Sequence, residues 1–182
     1  MNLRFKGKVA MDIESTDKIM MTELIFSGLL KELSTEECIA LFSVLNSQVR
    51  ASKQAEPCAG TISEGFQNAL RFLCDQCEKL IAVEKQYGVV DSEFELEKRL
   101  NFYFYELMYA WSNKGAFSDL VLANPGIDEG SIVKMVNSVE RICQQVKSAA
   151  RILNDAQLAQ RMEDASTLIK RDIIFTPSLY LE

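Results

Sequence analysis

GSIVKMVNSVERICQQVKSAARIL, residues 130–153, is the stretch whose pattern decides the fold. Ile132, Val136, Val139, Cys143, Val146, Ala150 and Leu153 follow one another in alternating steps of four and three. That spacing lays one continuous apolar seam along a helix of about six turns. Lys134, Ser138, Arg141, Gln145 and Ser148 recur at the same spacing on another side, so a polar face accompanies the seam. Asn154-Asp155 interrupts the pattern, and Leu158, Met162, Ala165 and Ile169 carry a last helix.

Upstream the chain also punctuates itself as helices. Ile19, Glu23, Phe26 and Leu30 predict a first helix near 16–31. Ser34-Thr35-Glu36-Glu37 is a capping box, in which the serine oxygen accepts a helix-start N–H and the glutamate reaches back. Ile39, Leu41, Phe42 and Leu45 continue that helix, which is expected to fade near Arg50. Residues 51–60 read as a loop. Thr61-Ile62-Ser63-Glu64 is a second expected capping box, followed by a long helix through Phe66, Leu73, Cys77 and Ile81 that Gly88 ends. A short acidic piece opens at Ser92. The aromatic run 102–111 keeps a helical stripe through Leu100, Phe104, Leu107 and Trp111, and is read as core rather than as stacking platforms for bases. Phe117–Leu122 makes one or two turns, and Asn124-Pro125-Gly126 is a turn. Residues 1–14 are expected as an extended N-terminal arm, with Lys8–Ile13 a short strand at most. Residues 173–182 form an apolar tail.

The sum is an all-α helical bundle: an arm over 1–14 and one helical domain over 15–182 around the long helix. Hydrophobic residues make up 48% of the chain, with 8 glycines and 3 prolines, enough apolar mass for a core and too few breakers for a strand-rich sandwich. The net charge of −6 excludes nucleic-acid binding by bulk positive charge. Any RNA contact is a local stripe, and binding by the isolated chain is expected to be weak. The five cysteines and the lack of an apolar leader or span lead to the expectation of free thiols in a reducing, intracellular compartment, with no membrane segment.

Catalytic chemistry is hard to place in this sequence. There is no histidine, hence no imidazole base and no histidine metal ligand. No glycine-rich loop ending in Lys-Ser or Lys-Thr cradles a phosphate. Asp128-Glu129-Gly130-Ser131 superficially resembles an acidic nucleotide box, but it stands at a helix start, where acids suit the helix dipole. Cys74 and Cys77 lie within a predicted helix and lack a second ligand pair, so packing is their expected role. No cofactor or metal is expected in this chain.

Several segments, in order, resemble one family. Lys6-Gly7-Lys8-Val9-Ala10, Thr22-Glu23-Leu24-Ile25-Phe26-Ser27-Gly28, Ala40-Leu41-Phe42-Ser43, Tyr109-Ala110-Trp111 with Gly115-Ala116-Phe117, and Glu129-Gly130-Ser131-Ile132-Val133 are similar to successive elements of the DSHCT domain. This is the C-terminal helical domain of the superkiller-like and mRNA-transport-regulator-like DExH RNA helicases. The closing Leu168-Ile169-Lys170-Arg171-Asp172-Ile173-Ile174-Phe175 and Ser178-Leu179-Tyr180-Leu181 is the most specific segment. The resemblance implies a bundle packed across the motor domains of an ATP-dependent helicase, with ATP and magnesium held by those motor domains. It implies that the 130–153 helix is a ratchet helix touching single-stranded RNA, and that the exosome and adaptor proteins are partners. Gly28 and its neighbours lean toward the nuclear branch over the cytoplasmic one.

The RNA-facing residues expected on this basis are Lys134, Ser138, Arg141 and Gln145, with Arg50 beside them. The chain also departs from the family. Relatives often carry a basic residue at the position of Lys134 and an arginine four residues later, where this chain has Ser138. Val49 stands where relatives have an acid, whereas Arg50 agrees. Arg141, one turn on, offers a compensating charge. The alternative reading is a helical protein-interaction module, an adaptor without RNA contact, favoured by the acidic charge.

Overall fold

The computed structural model describes residues 3–52, 54–90 and 94–171. All regular structure among them is helical: α1 (Leu3–Met11), α2 (Lys18–Ser27), a 3-10 turn (Leu29–Lys31), α3 (Thr35–Val44), α4 (Glu64–Gln86), α5 (Glu95–Arg99), α6 (Tyr105–Ser112), α7 (Phe117–Ala123), α8 (Glu129–Ile152) and α9 (Ala156–Ile169). The long helix read from the seam is α8, at 24 residues the longest of these. The apolar tail, the Ser92 start and the terminal part of the family resemblance lie outside the described residues.

The helix starts follow local side-chain chemistry. Asp17 accepts the Ile19 and Met20 amides at α2. Ser34 and Glu37 form the full capping box at α3. Asp128 accepts the Ser131 amide at 2.8 Å and its hydroxyl at 2.7 Å at α8, so the acidic turn is a cap. The second expected box is displaced: Ser63, not Thr61, caps α4 by accepting the Phe66 amide, and Thr61 accepts from the Gln67 side chain instead. The buried register of α4 begins at Phe66, which places the helix start two residues later than the Thr-x-x-Glu pattern suggests. Gly28 ends α2 at φ 82°, in the left-handed region that favours glycine.

The expected extended arm is corrected. Residues 3–11 are helix α1, and Lys8–Ile13 is not a strand. Gly7 in its middle lowers helix propensity by about 1 kcal/mol, and nine residues are too few to hold a helix in isolation. Tertiary contact decides the matter. Val9 and Ile13 are fully buried, and Lys6 pairs with Glu23 at 2.6 Å and lies over the Phe26 ring. α3 is shorter than expected, ending at Val44 rather than near Arg50. There Asn101 takes over, donating its backbone N–H to the Val44 carbonyl.

α3 is buried on every side from Glu37 to Val44 and sits in the middle of the bundle against α6, α8, α9 and α4. α8 and α9 pack as a hairpin, turned at Asn154 with φ 55°. Lys147–Glu163 and Lys170–Glu140 ion pairs join the two helices. Trp111 is fully buried, as are Phe42, Phe66 and Phe104, each stabilising the fold by about 2 kcal/mol or more. Trp111 donates its indole N–H to the Ile169 carbonyl. The Arg171 guanidinium stacks 3.8 Å over its ring and bonds the Trp111 and Gly115 carbonyls, which locks the end of α9 to α6. The aromatic run thus supplies core through Phe104, Tyr105 and Trp111, but its first two members lie before α6 and are only half-buried.

The loop after α3 is held tightly to the turn before α8. An added Cβ on Gly126 would stand 2.5 Å from Ala55 Cα, so the two backbones meet at a point that admits only glycine. The Ser52 hydroxyl bonds the Gly126 carbonyl. This seam fixes residues 47–52 beside the first turns of α8, where the candidate site lies.

Candidate nucleic-acid interface

Lys134 and Arg141 stand exposed on α8, about two turns apart, on the side away from the buried Val136, Val139 and Cys143. Together with Asn137, Ser138 and Glu140 of α8 and Gln48 and Val49 of the loop after α3, they line a groove of about 570 Å³. The loop forms this wall because Asn46 accepts the Gln48 amide with its own side chain. The Ser131 hydroxyl reaches the Arg50 carbonyl at 3.4 Å.

Of the five expected site residues, the structure brings three into this groove. Ser138 is one of them, but it is only 2% exposed and its hydroxyl oxygen has no hydrogen-bond partner. The expectation of an outward-facing Ser138 is therefore corrected: its side chain is buried at the base of the groove, and its hydroxyl has no hydrogen-bond partner among the described residues. Gln145 is also corrected. Its side-chain oxygen accepts the Glu14 and Ser15 amides at 3.0 Å and its nitrogen bonds the Ser15 hydroxyl. One turn on, Ser148 bonds Asp12 at 2.6 Å. The segment after α1 thus lies over the C-terminal half of the polar face and brings two acids, Asp12 and Glu14, to it. Arg50 is exposed, but it borders an adjoining cavity rather than the groove.

Among the described residues, the one acid lining the groove is Glu140, and the end of α9 ties it down. Its Oε1 accepts from Lys170 at 2.7 Å, from Gln144 at 3.0 Å and from Ser166 at 3.0 Å. Burial pushes this carboxyl up, but the three hydrogen bonds outweigh burial and hold it below its ordinary range. The negative charge is spent internally, and Lys134 and Arg141 dominate the groove. Asn137 and Gln48 are groove residues that the seam pattern did not single out. Asn137 was legible as the neighbour of Lys134 one turn on. The neutralisation of Glu140 by Lys170 has no signal in sequence, because the two residues lie on different helices.

Cys74 and Cys77 lie in α4 as free thiols, Cys77 buried. Among the described residues no group of three acidic or sulfur side chains stands together as metal ligands, and no helix is long and apolar enough to cross a membrane.

Fold and groove define a class: an all-α domain that presents a cationic groove on the open side of its longest helix. This chain belongs to the DSHCT (NUC185) domain family, whose model matches residues 1–176. It is 32% identical over 179 residues to the ATP-dependent RNA helicase mtr4 of Schizosaccharomyces pombe, covering 98% of this chain and 16% of that protein. It is 31% identical over 182 residues to the exosome RNA helicase MTR4 of Homo sapiens, covering 98% and 17%. It is 30% identical over 182 residues to the antiviral helicase SKI2 of Saccharomyces cerevisiae, covering 99% and 14%. The chain spans about a sixth of the length of these curated relatives.

Proposed function

We propose that this chain is the accessory helical domain of an ATP-dependent DExH RNA helicase, and that the groove on the first half of α8 lines the path of single-stranded RNA. The observation that carries the reading is the pairing of the exposed Lys134 and Arg141 on one groove wall whose acid, Glu140, is already bound to Lys170. Two cations about two turns apart match phosphates of one strand. Such contacts carry no base identity, as a helicase that must pass any sequence requires. The residues present do not fit a nucleotide–magnesium site, having neither a phosphate loop nor, among the described residues, a ligand cluster. By the family resemblance, ATP and magnesium are assigned to motor domains against which this bundle packs. The MTR4 relatives are named exosome RNA helicases, and we extend the reading to delivery of RNA to an exosome for processing or decay, in the nucleus, as the resemblance implies.

The test is binding of single-stranded RNA by the 182-residue chain at low salt. Lys134→Glu with Arg141→Glu is expected to weaken binding and to flatten its dependence on salt, with thermal stability unchanged because both side chains are exposed. Wild-type behaviour of the double variant across a salt series would remove the groove from the RNA path.

A protein-interaction role has one observation of its own. Tyr87 and Val89, at the tip after α4, and Phe94, just before α5, are 75%, 69% and 67% exposed. Exposed apolar side chains of this size suit a protein contact. This reading takes over if the chain binds no RNA.

A further inference from the structure

We infer that the RNA path leaves α8 across Val49 and enters a second cavity, where Phe102 and Tyr103 stack an unpaired base. The inference rests on the RNA reading of the α8 groove.

The groove is closed at one end and open at the other. Toward the C-terminus of α8, the Gln145 and Ser148 contacts place Asp12, Glu14 and Ser15 over the polar face, a covered and acidic stop for a polyanion. On the loop side, Val49 lines both the α8 groove and a neighbouring cavity of about 300 Å³. That cavity is walled by Phe102 and Tyr103 with Arg50 and Lys98. Its volume is at the small end for a ligand site and suits one base with its sugar at the rim.

The two rings are set there by the backbone. Asn101 is buried, and its side-chain nitrogen donates to the Asn46 carbonyl at 2.9 Å and to the Val49 carbonyl at 2.7 Å. Its side-chain oxygen accepts the Tyr103 amide, and the Phe102 carbonyl accepts the Cys58 amide at 2.7 Å. Residues 101–103 are thus clamped to the same turn that carries Val49, ahead of the start of α6 at Tyr105. A platform fixed before binding loses little freedom on binding. Phe104, Tyr105 and Trp111 of the run enter the core, whereas Phe102 and Tyr103, half-buried like Tyr109, border a cavity.

The charges fit a single strand. Arg50 and Lys98 border the cavity against one acid, Glu97, and Lys98 also pairs with Glu95 at 2.7 Å. With Lys98 taken by Glu95, Arg50 is the cation at the rim for a phosphate and the base is held by stacking, the division of labour found in single-strand binders. In this arrangement α8 holds backbone and the 101–103 turn holds a base.

The experiment titrates the 182-residue chain with labelled dodecauridylate over a salt series. Tyr103→Leu is expected to weaken binding on the order of tenfold while leaving the slope of log Kd against log salt unchanged. Tyr103→Phe, which keeps the ring, is expected to bind like wild type. The Lys134→Glu, Arg141→Glu variant is expected to weaken binding and flatten the slope. Photo-cross-linking of wild-type chain with a 4-thiouridine-substituted dodecauridylate is expected to mark Phe102 or Tyr103 as well as α8, and needs no variant to fold. Adducts confined to α8, with Tyr103→Leu binding like wild type, overturn the second cavity and leave the α8 reading standing. A wild-type chain that binds no dodecauridylate, or a charge variant indistinguishable from it, overturns both.

Discussion

At the scale of the residue, two side chains on α8 show how position decides consequence. Val139 is fully buried on the seam, so Val139→Asp places a carboxylate among packed apolar side chains of the core. An unpaired buried charge and the loss of a packed side chain together are expected to cost more than about 3 kcal/mol. Loss of the helical circular-dichroism transition, or a large drop in the urea midpoint, is the measurement. A variant as stable as wild type would mean that the seam does not face the core. Ser138, one residue earlier, is as buried as Val139 but polar, and its unbonded hydroxyl is tolerated only where a partner arrives or the loss is small. The sequence placed both residues on the correct helix, because 3.6-residue periodicity is a local property. It placed Ser138 on the wrong side of the solvent boundary, because that boundary is set by tertiary packing and not by helical periodicity. Gln145 was misread for the same reason: its partners Glu14 and Ser15 lie 131 and 130 residues away.

At the scale of the element, the helices legible in sequence are those whose ends carry their own signals. Ser34 with Glu37, and Asp128 with Ser131, start α3 and α8 where the pattern predicts. α1 is held by Val9, Ile13 and the Lys6–Glu23 pair, contacts that no local reading supplies. The α8–α9 hairpin adds a functional consequence of the same nonlocal kind. Lys170 on the last turn neutralises Glu140 on the groove wall without lining the groove itself. Lys170→Met is expected to release the Glu140 charge into the groove and to weaken RNA binding several-fold at low salt. The loss should shrink as salt rises, since a nearby uncompensated charge is screened. Glu140→Gln in the same background is expected to restore binding. If Lys170→Met alone leaves affinity at every salt unchanged, Glu140 does not act on the ligand.

At the scale of the whole molecule, titratable groups set a pH window for the fold from both sides. Hydrogen bonds from Ser131 hold Asp128 below its ordinary range, Lys31 does the same for Asp155, and Lys170, Gln144 and Ser166 together do so for Glu140 against its burial. A carboxyl whose folded pKa is depressed contributes stability above its unfolded pKa and loses it as pH falls through the lower folded value. These three groups therefore predict a falling Tm on the acid side, from about pH 4.5 downward. Buried thiols act at the other end. Burial pushes Cys38 up to about 12 and Cys77 to about 11, and raises Cys143 well above 9.0. In the unfolded chain each thiol ionises from its ordinary value, whereas in the folded chain it stays protonated. Stability is thus full below about pH 8.5 and declines as pH rises from there. Thermal unfolding under reducing conditions is expected to give a plateau of Tm with a fall on both sides. Cys38→Ala with Cys143→Ala lowers the whole curve, because it empties packed volume at two fully buried positions. The same variant is expected to flatten the alkaline limb between about pH 8.5 and pH 10 relative to its own plateau, because two of the five thiols that burial holds protonated are gone. An alkaline limb as steep in the double variant as in wild type would assign that limb to groups other than these cysteines.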